Sequence, residues 1–161
     1  QAGVSAQEFW TQKIGIVTPH RAQMASIRNL LVDAAGMTMD PPPFVDTVDR
    51  FQGQDRDLIL SSYVVADRDF VASEDAFILS PRRFNVTLTR ARSKFVMLIS
   101  DALLQYLPSD PDVARDAAHL QLFAEQYCSS VCDTIDLPFF ERGALLTMRC
   151  KLRGRYENGG E

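Results

Sequence analysis

Four short runs rich in branched and apolar residues, at positions 13–17, 44–48, 57–65 and 94–100, constrain this chain more than any other feature. Ile14, Ile16 and Val17 in the first, and the Leu-Ile-Leu and Val-Val pairs of the third, favour extended backbone that is buried on both faces. Helical patterns lie between the first and second runs and between the third and fourth. Strand, helix, strand, strand, helix, strand is the order of an α/β layer, and it predicts a mainly parallel sheet covered on both sides.

The intervening segments carry their own signals. Ser5 is a candidate cap for a short helical turn over residues 5–10, and Thr18 and Pro19 are candidates for the cap and first position of the next helix. In that helix Met24, Ile27, Leu31 and Ala34 form an apolar stripe, Arg21 and Arg28 fall off it, and a stop is expected near Gly36. Three prolines, Pro41, Pro42 and Pro43, stiffen the entry to the second strand. The acidic stretch 66–77 is expected to be an irregular surface excursion. Ser80 and Pro81 open another helix, with Phe84, Leu88 and Ala91 on one face, Arg83, Thr87 and Arg90 on another, and Arg90 in its last full turn. A short helix over 102–107 ends at Pro108. A longer one over 115–127 and a candidate hairpin containing Leu137-Pro-Phe-Phe140 and a strand at 144–150 complete the chain. The expected division is a core over 1–107 and a helical extension with a hairpin over 108–161, packed on the same domain.

Composition narrows the function classes. With 161 residues, 46 % of them hydrophobic, one cored domain is the expectation. A formal net charge of -4 argues against a chain that is basic throughout, although Arg82, Arg83, Arg90, Arg92 and Lys94 cluster without an acid between them. Three cysteines are an odd number and too few for a disulfide scaffold, which favours a reducing, cytoplasmic setting. No apolar run is long enough to span a membrane, and none is expected to engage one.

Two runs carry the candidate chemistry: Val45-Asp-Thr-Val-Asp-Arg-Phe-Gln-Gly-Gln-Asp55 and Asn85-Val-Thr-Leu-Thr-Arg-Ala-Arg92. Both sit where strand-like sequence meets polar or helical sequence, the kind of edge at which α/β proteins place ligand-contacting residues. In Gln52-Gly53-Gln54-Asp55, the glycine lets backbone N–H groups approach a phosphate while the carboxylate accepts from a ribose hydroxyl; the same four residues also suit a simple turn. Arg90 and Arg92 are planar, permanently charged donors for a phosphoryl group, or solvated surface charges. Thr18 and Thr47, at strand ends, can donate to nucleic-acid phosphates, and Thr18 can equally be a cap. His20 suits a surface position or a bound phosphate; His119 suits packing. Cys128 and Cys132 share a face if the last helix reaches them, but the remaining ligands for zinc are missing, and no metal site is expected.

Taken together, Gly15-Ile-Val-Thr-Pro-His-Arg-Ala-Gln23, the 45–55 run continuing through Arg56-Asp-Leu-Ile-Leu60, and Arg83-Phe-Asn-Val-Thr-Leu-Thr-Arg-Ala-Arg92 resemble, in order and spacing, motifs four, five and six of superfamily 1 helicases. The best match is the branch of the nonsense-mediated-decay helicase and the Dna2-type nuclease-helicases. The resemblance spans about residues 14–100. It implies a second, three-layer RecA-like domain that works against an N-terminal RecA-like domain of the same polypeptide, with ATP and Mg²⁺ between them and single-stranded DNA or RNA across both. It implies Arg90 as arginine finger, Gln52 beside the γ-phosphate as a second catalytic residue, and Gly53, Asp55, Arg21, Gln23 and Arg92 as cofactor-binding residues. Thr47, Thr18 and His20 are the implied nucleic-acid contacts. Asp55 stands where the family usually has glutamate, and Thr87 where it often has alanine.

The chain lacks a Gly-x-x-x-x-Gly-Lys-Ser/Thr run and an Asp-Glu pair after a strand, so it holds no phosphate-binding loop of its own. The resemblance therefore predicts an inactive fragment of an ATP-dependent helicase, completed by the preceding domain. The alternative from another class is a helicase-like adaptor for nucleic acid or protein, without catalysis. The extension beyond residue 107 is a candidate surface for a protein partner.

Overall fold

A computed structural model describes residues 4–35, 40–51, 53–65, 67–141 and 143–155. The chain divides into two compact units, residues 1–117 and 118–161. In the first, a four-stranded sheet has the order β2-β1-β3-β4, formed by β1 (Ile14–Thr18), β2 (Val45–Thr47), β3 (Arg56–Tyr63) and β4 (Ala91–Ile99). All its pairings are parallel, with Ile16 opposite Val45 and Leu60, and Ile59 opposite Phe95. This is the mainly parallel sheet that the order of apolar runs predicts.

Alternation along the strands sends side chains to two separate cores. Ile14, Ile16 and Val45 face one side, where Met24, Ile27 and Leu31 of α2 (Arg21–Ala35) pack on them with Trp10, Leu58 and Leu60. Val17 and Ile59 face the other side and meet Val48 and Phe51, with Phe44, Ala91 and Phe95 against them. Phe84 of α4 (Pro81–Leu88) meets the Phe95 ring edge-on at 6.1 Å, so helices cover both faces and the layer order is α/β/α. This is a RecA-like arrangement. Ser5 caps α1 (Ala6–Glu8) by accepting from the Glu8 N–H, and α1 runs into a π-helical turn, Phe9–Lys13, that delivers β1.

Several expectations need correction. Thr18 is the last residue of β1 and does not cap α2: its hydroxyl donates to the His20 carbonyl, and α2 starts at Arg21, beyond Pro19. Parallel pairing with Thr47 keeps Thr18 extended. The stretch expected to be irregular contains α3 (Arg68–Ile78), capped by Asp67, whose carboxylate accepts from the Asp69 and Phe70 N–H groups. Val71, Ile78 and Leu79 are buried there, so a seven-residue apolar spacing outweighs the acidic composition. Helix α4 ends at Leu88, and Arg90 lies in the turn before β4. The helix α5 (Asp101–Leu104) is shorter than the 102–107 expected. Gly36, the expected stop of α2, lies outside the described residues.

Beyond α5, α6 (Pro111–Gln121) continues into a π-helical turn, Leu122–Tyr127. The second unit contains an antiparallel hairpin of β5 (Ser130–Glu141) and β6 (Ala144–Gly154), joined through Gly143 at φ +80°. The helix stops before Cys128 and Cys132 falls in β5, so the two cysteines do not share a helical face. No group of three or more metal-ligating side chains occurs among the described residues. No described helix is long and apolar enough to cross a membrane.

Tyr63 closes β3 and is buried beside α4. Burial pushes its hydroxyl up to about 12, with Arg83 and the Thr87 hydroxyl pulling the other way. The folded-state value is raised above the ordinary 10, so the associated stability is complete below pH 10 and lost as pH rises from about 10 to 12. Urea titrations across that window are expected to show a fall on the order of 2 kcal/mol that Tyr63→Phe removes. An equal fall in the variant refutes the assignment.

Candidate functional site

A short crossing of the sheet positions both motif runs. From the end of β2 the chain must return to the start of β3, on the far side of β1. It does so over the face where Gly15 has no side chain: a Cβ there would lie 3.2 Å from the Phe51 ring, 3.1 Å from Ile59 Cδ1 and 3.2 Å from Arg56 Cγ. Phe51 is fully buried in that space, so Gly15 is needed for close approach. The turn entering the crossing is fixed by Thr47, whose carbonyl accepts from the Arg50 and Phe51 N–H groups, both at 3.1 Å.

The crossing sorts the candidate residues to opposite ends of the strands. Gly53 and Asp55 reach the amino edge, just before β3, and Arg90 reaches the same edge just before β4. Arg90 Nη1 lies 3.1 Å from Asp55 Oδ1. The Arg90 carbonyl accepts from Arg56 N–H at 3.1 Å, and the Arg90 N–H donates to Thr87 O at 3.3 Å. Its Nε is buried and has no hydrogen-bond partner among the described residues. Arg56 braces the loop by donating to the Asp55 carbonyl at 2.9 Å and to Gln54 Oε1 at 3.2 Å, with its guanidinium 4.8 Å above the Phe44 ring. Gly53 holds φ +83°, with no atom within 4 Å of where a Cβ would project. Gln52 lies outside the described residues.

Arg92 joins this edge through Asp57, 3.7 Å away, and Asp57 also holds Lys13 at 3.2 Å. Sequence patterns did not single out Lys13, Arg56 or Asp57, because their proximity depends on the pairing of β3 with β4 and on the π-turn before β1. Arg56 and Arg90 were adjacent in register only once the β3–β4 alignment was known.

Arg21, Gln23, Thr18, His20 and Thr47 occupy the carboxyl edge instead. Gln23 Nε2 donates to Ser62 Oγ at 2.8 Å, next to the last residue of β3, roughly 20 Å along the strand from its start. Arg21 and Gln23, grouped with Gly53 and Asp55 by the sequence, are thus not brought together with them. Thr18 and Thr47 are register partners and both are buried. His20 stands between the Phe70 ring at 5.1 Å and the Phe77 ring at 5.5 Å, neither of which the sequence assigned to this edge. Asp67 at a cap and the Val71 to Ile78 spacing were the signals that could have found α3.

The two edges differ chemically. At the amino edge, a flexible glycine, a carboxylate and an arginine surround open space, which suits a phosphate-bearing ligand supplied from outside this unit. The Asp55–Arg90 pair is partly exposed, so it contributes at most about 1 kcal/mol. Asp55→Asn is therefore expected to change the urea stability of this chain by less than about 1 kcal/mol. Gly53→Val, which forces a branched residue to positive φ, is expected to cost about 1–3 kcal/mol. The reverse order would show that the pair, not the glycine backbone, holds this loop.

Residues 2–102 match the family described as AAA domain. The human DNA replication ATP-dependent helicase/nuclease DNA2 is 38% identical over 85 residues, covering 53% of this chain and 7% of that protein. Helicase sen1 of Schizosaccharomyces pombe is 31% identical over 119 residues, 65% of this chain and 7% of its own length, and Helicase SEN1 of Saccharomyces cerevisiae is 38% identical over 89 residues, 55% and 4%. The chain thus corresponds to a small part of each of these curated relatives. The parallel sheet, the three motif runs and these matches agree: the chain belongs to this AAA domain family, as a C-terminal superfamily 1 helicase domain of the nonsense-mediated-decay and Dna2-type branch.

Proposed function

We propose that this domain is the second motor domain of an ATP-dependent DNA or RNA helicase, and that its two sheet edges serve different ligands. The observation that carries the proposal is Arg90, held in a turn at the same amino edge that Gly53 reaches and ion-paired among the described residues only with a partly exposed carboxylate, Asp55. A guanidinium placed there can leave Asp55 and donate to a transferring phosphoryl group presented by a preceding RecA-like domain of the same polypeptide. Gly53 offers its backbone N–H without a side chain in the way. Asp55, once released, can accept from a ribose hydroxyl, and Gln52 completes the group on the strength of the family pattern. Mg²⁺ would be held by the preceding domain, whose phosphate-binding run is missing here.

Arg92 and Lys13 share Asp57 and add positive charge beside the same edge, which favours a polyphosphate. Thr47, Thr18 and His20 at the carboxyl edge form part of the single-strand track, and Arg21 and Gln23 belong with them by position. Thr18 is fully buried with its hydroxyl spent on the His20 carbonyl, so its contribution to a phosphate runs through the loop backbone it fixes, and the hydroxyl role falls to Thr47.

In the full-length protein, Arg90→Ala is expected to lower nucleic-acid-stimulated ATP turnover by about 10³-fold or more, with a much smaller loss of nucleotide affinity, because the finger acts on the transition state. Steady-state ATPase assays with parallel nucleotide-binding titrations separate the two effects. Normal turnover in Arg90→Ala would exclude it as the finger, and ATPase activity of this chain by itself would refute the division of labour.

A further inference from the structure

The carboxyl edge also carries a concavity that none of the residues above uses. Val48, Asp49, Arg82, Arg83 and Val86 line a cleft of about 230 Å³. Sites for drug-sized ligands start near 300 Å³, so this one has room for a single flat ring. Two of its lining residues are apolar, Val48 buried in the sheet core and Val86 half-buried on α4.

One wall is fixed and its chemistry is mixed. Arg83 Nε donates to Asp49 Oδ1 at 3.2 Å, and the guanidinium lies 4.0 Å above the Phe77 ring, which in turn meets His20. Arg83 is therefore held both in its plane and across its face. Asp49 spends one oxygen on Arg83; its other oxygen makes no hydrogen bond among the described residues, and its side chain is 58% exposed. Arg82 also lines the cleft and is exposed. A phosphate in this cleft would meet the Asp49 carboxylate, and a purely apolar group would use neither that oxygen nor the Arg82 guanidinium. A planar heterocycle with an amino group suits both: its face can stack on the Arg82 guanidinium and pack on the two valines, and its N–H donates to Asp49.

We propose that this cleft seats one nucleobase of the single strand, with the free oxygen of Asp49 accepting from an exocyclic amine. Asp49 lies two residues beyond Thr47, so the base and the phosphate contact belong to neighbouring parts of one nucleotide chain. The assignment rests on the reading of this edge as part of the track, and adds to it a preference for cytosine and adenine over thymine or uracil. Most single-strand binders stack bases with little discrimination, and a single carboxylate acceptor is the smallest addition that introduces some.

The test uses this chain and fluorescein-labelled 12-mers of deoxycytidine, deoxyadenosine and deoxythymidine, read by anisotropy at low salt, where backbone attraction is strongest. The first two are expected to bind roughly three- to ten-fold more tightly than the third, one hydrogen bond's worth of discrimination. Asp49→Ala, or the isosteric Asp49→Asn should the first fail to fold, is expected to collapse that ratio, whereas Arg82→Ala should weaken all three alike. In the wild-type chain the methyl signals of Val48 and Val86 are expected to shift with oligodeoxycytidine far more than with oligodeoxythymidine. Equal affinities for the three strands, or a ratio that survives both Asp49 substitutions, would overturn the base pocket and leave the track standing. Failure of any strand to bind would overturn the track at this edge as well.

Discussion

The passage of the β2–β3 connection across β1 is the constraint on which the rest depends. Parallel neighbours are usually joined by a helix lying on the sheet, which needs a dozen or more residues. Here residues 48–55 make the return alone, and they can do so because the one position they must cross is a glycine. Phe51 fills the space that a side chain at residue 15 would take and contributes the apolar contact that a crossover helix would otherwise supply. Val48 and Phe51 thus put two residues of the connection into the core, while Asp49, Arg50 and residues 53–55 stay exposed.

Because that segment begins at the carboxyl edge and ends at the amino edge, it touches both proposed ligands. Thr47 and Asp49 stand at one end, Gly53 and Asp55 at the other, and buried Val48 and Phe51 anchor the stretch between them. Helix α4 runs the same way, with Arg82 and Arg83 at its start and Arg90 just past its end. The Asp49–Arg83 pair ties the two segments together at one edge and the Asp55–Arg90 pair ties them at the other, at 3.2 and 3.1 Å. On the proposed function, a ligand that takes Arg90 from Asp55 loosens one of two clasps between the same pair of segments, and a base that engages Asp49 bears on the other. Coupling of nucleotide state to grip on the strand then needs no path longer than a single crossing and a single helix.

Much of this was legible before any coordinates. Branched runs gave the strands, and the stripe of Met24, Ile27 and Leu31 gave the helix that covers one face. The motif spacing carried the family, since three weak patterns in order are far more specific than any one of them. What could not be read was neighbourhood. In a parallel sheet a residue that precedes a strand lies at the amino edge and one that follows it lies at the carboxyl edge, where open α/β sheets hold their ligands, and Gly53, Asp55 and Arg90 lie at the first. Which strand ends stand side by side emerges only from the order β2-β1-β3-β4, which brings Arg90 to Asp55 and leaves Gln23 with Ser62 at the other edge. Helix α3 was hidden for a different reason: four acidic residues between 67 and 75 read as solvated surface, while the buried Val71 and Ile78 that define its inner face are too few to dominate composition.

Asp55 shows how a departure from the family pattern can be consistent with the proposed chemistry. A glutamate there would have one more methylene with which to reach Arg90 or a ribose. The aspartate meets the guanidinium where Arg56 N–H donates to the Arg90 carbonyl and so holds the start of β3 against the turn before β4, while the Arg56 side chain donates to the Asp55 carbonyl. The pair that results is partly exposed and weak, and a weak pair suits a residue that must exchange partners. A buried, strong clasp would hold Arg90 against a phosphoryl group as firmly as it holds it in place without one, whereas an exposed one orients the side chain and still yields to a more highly charged acceptor. The buried, unpartnered Nε of Arg90 points the same way, because an acceptor that engaged it together with the terminal nitrogens would satisfy a group that Asp55 leaves unsatisfied.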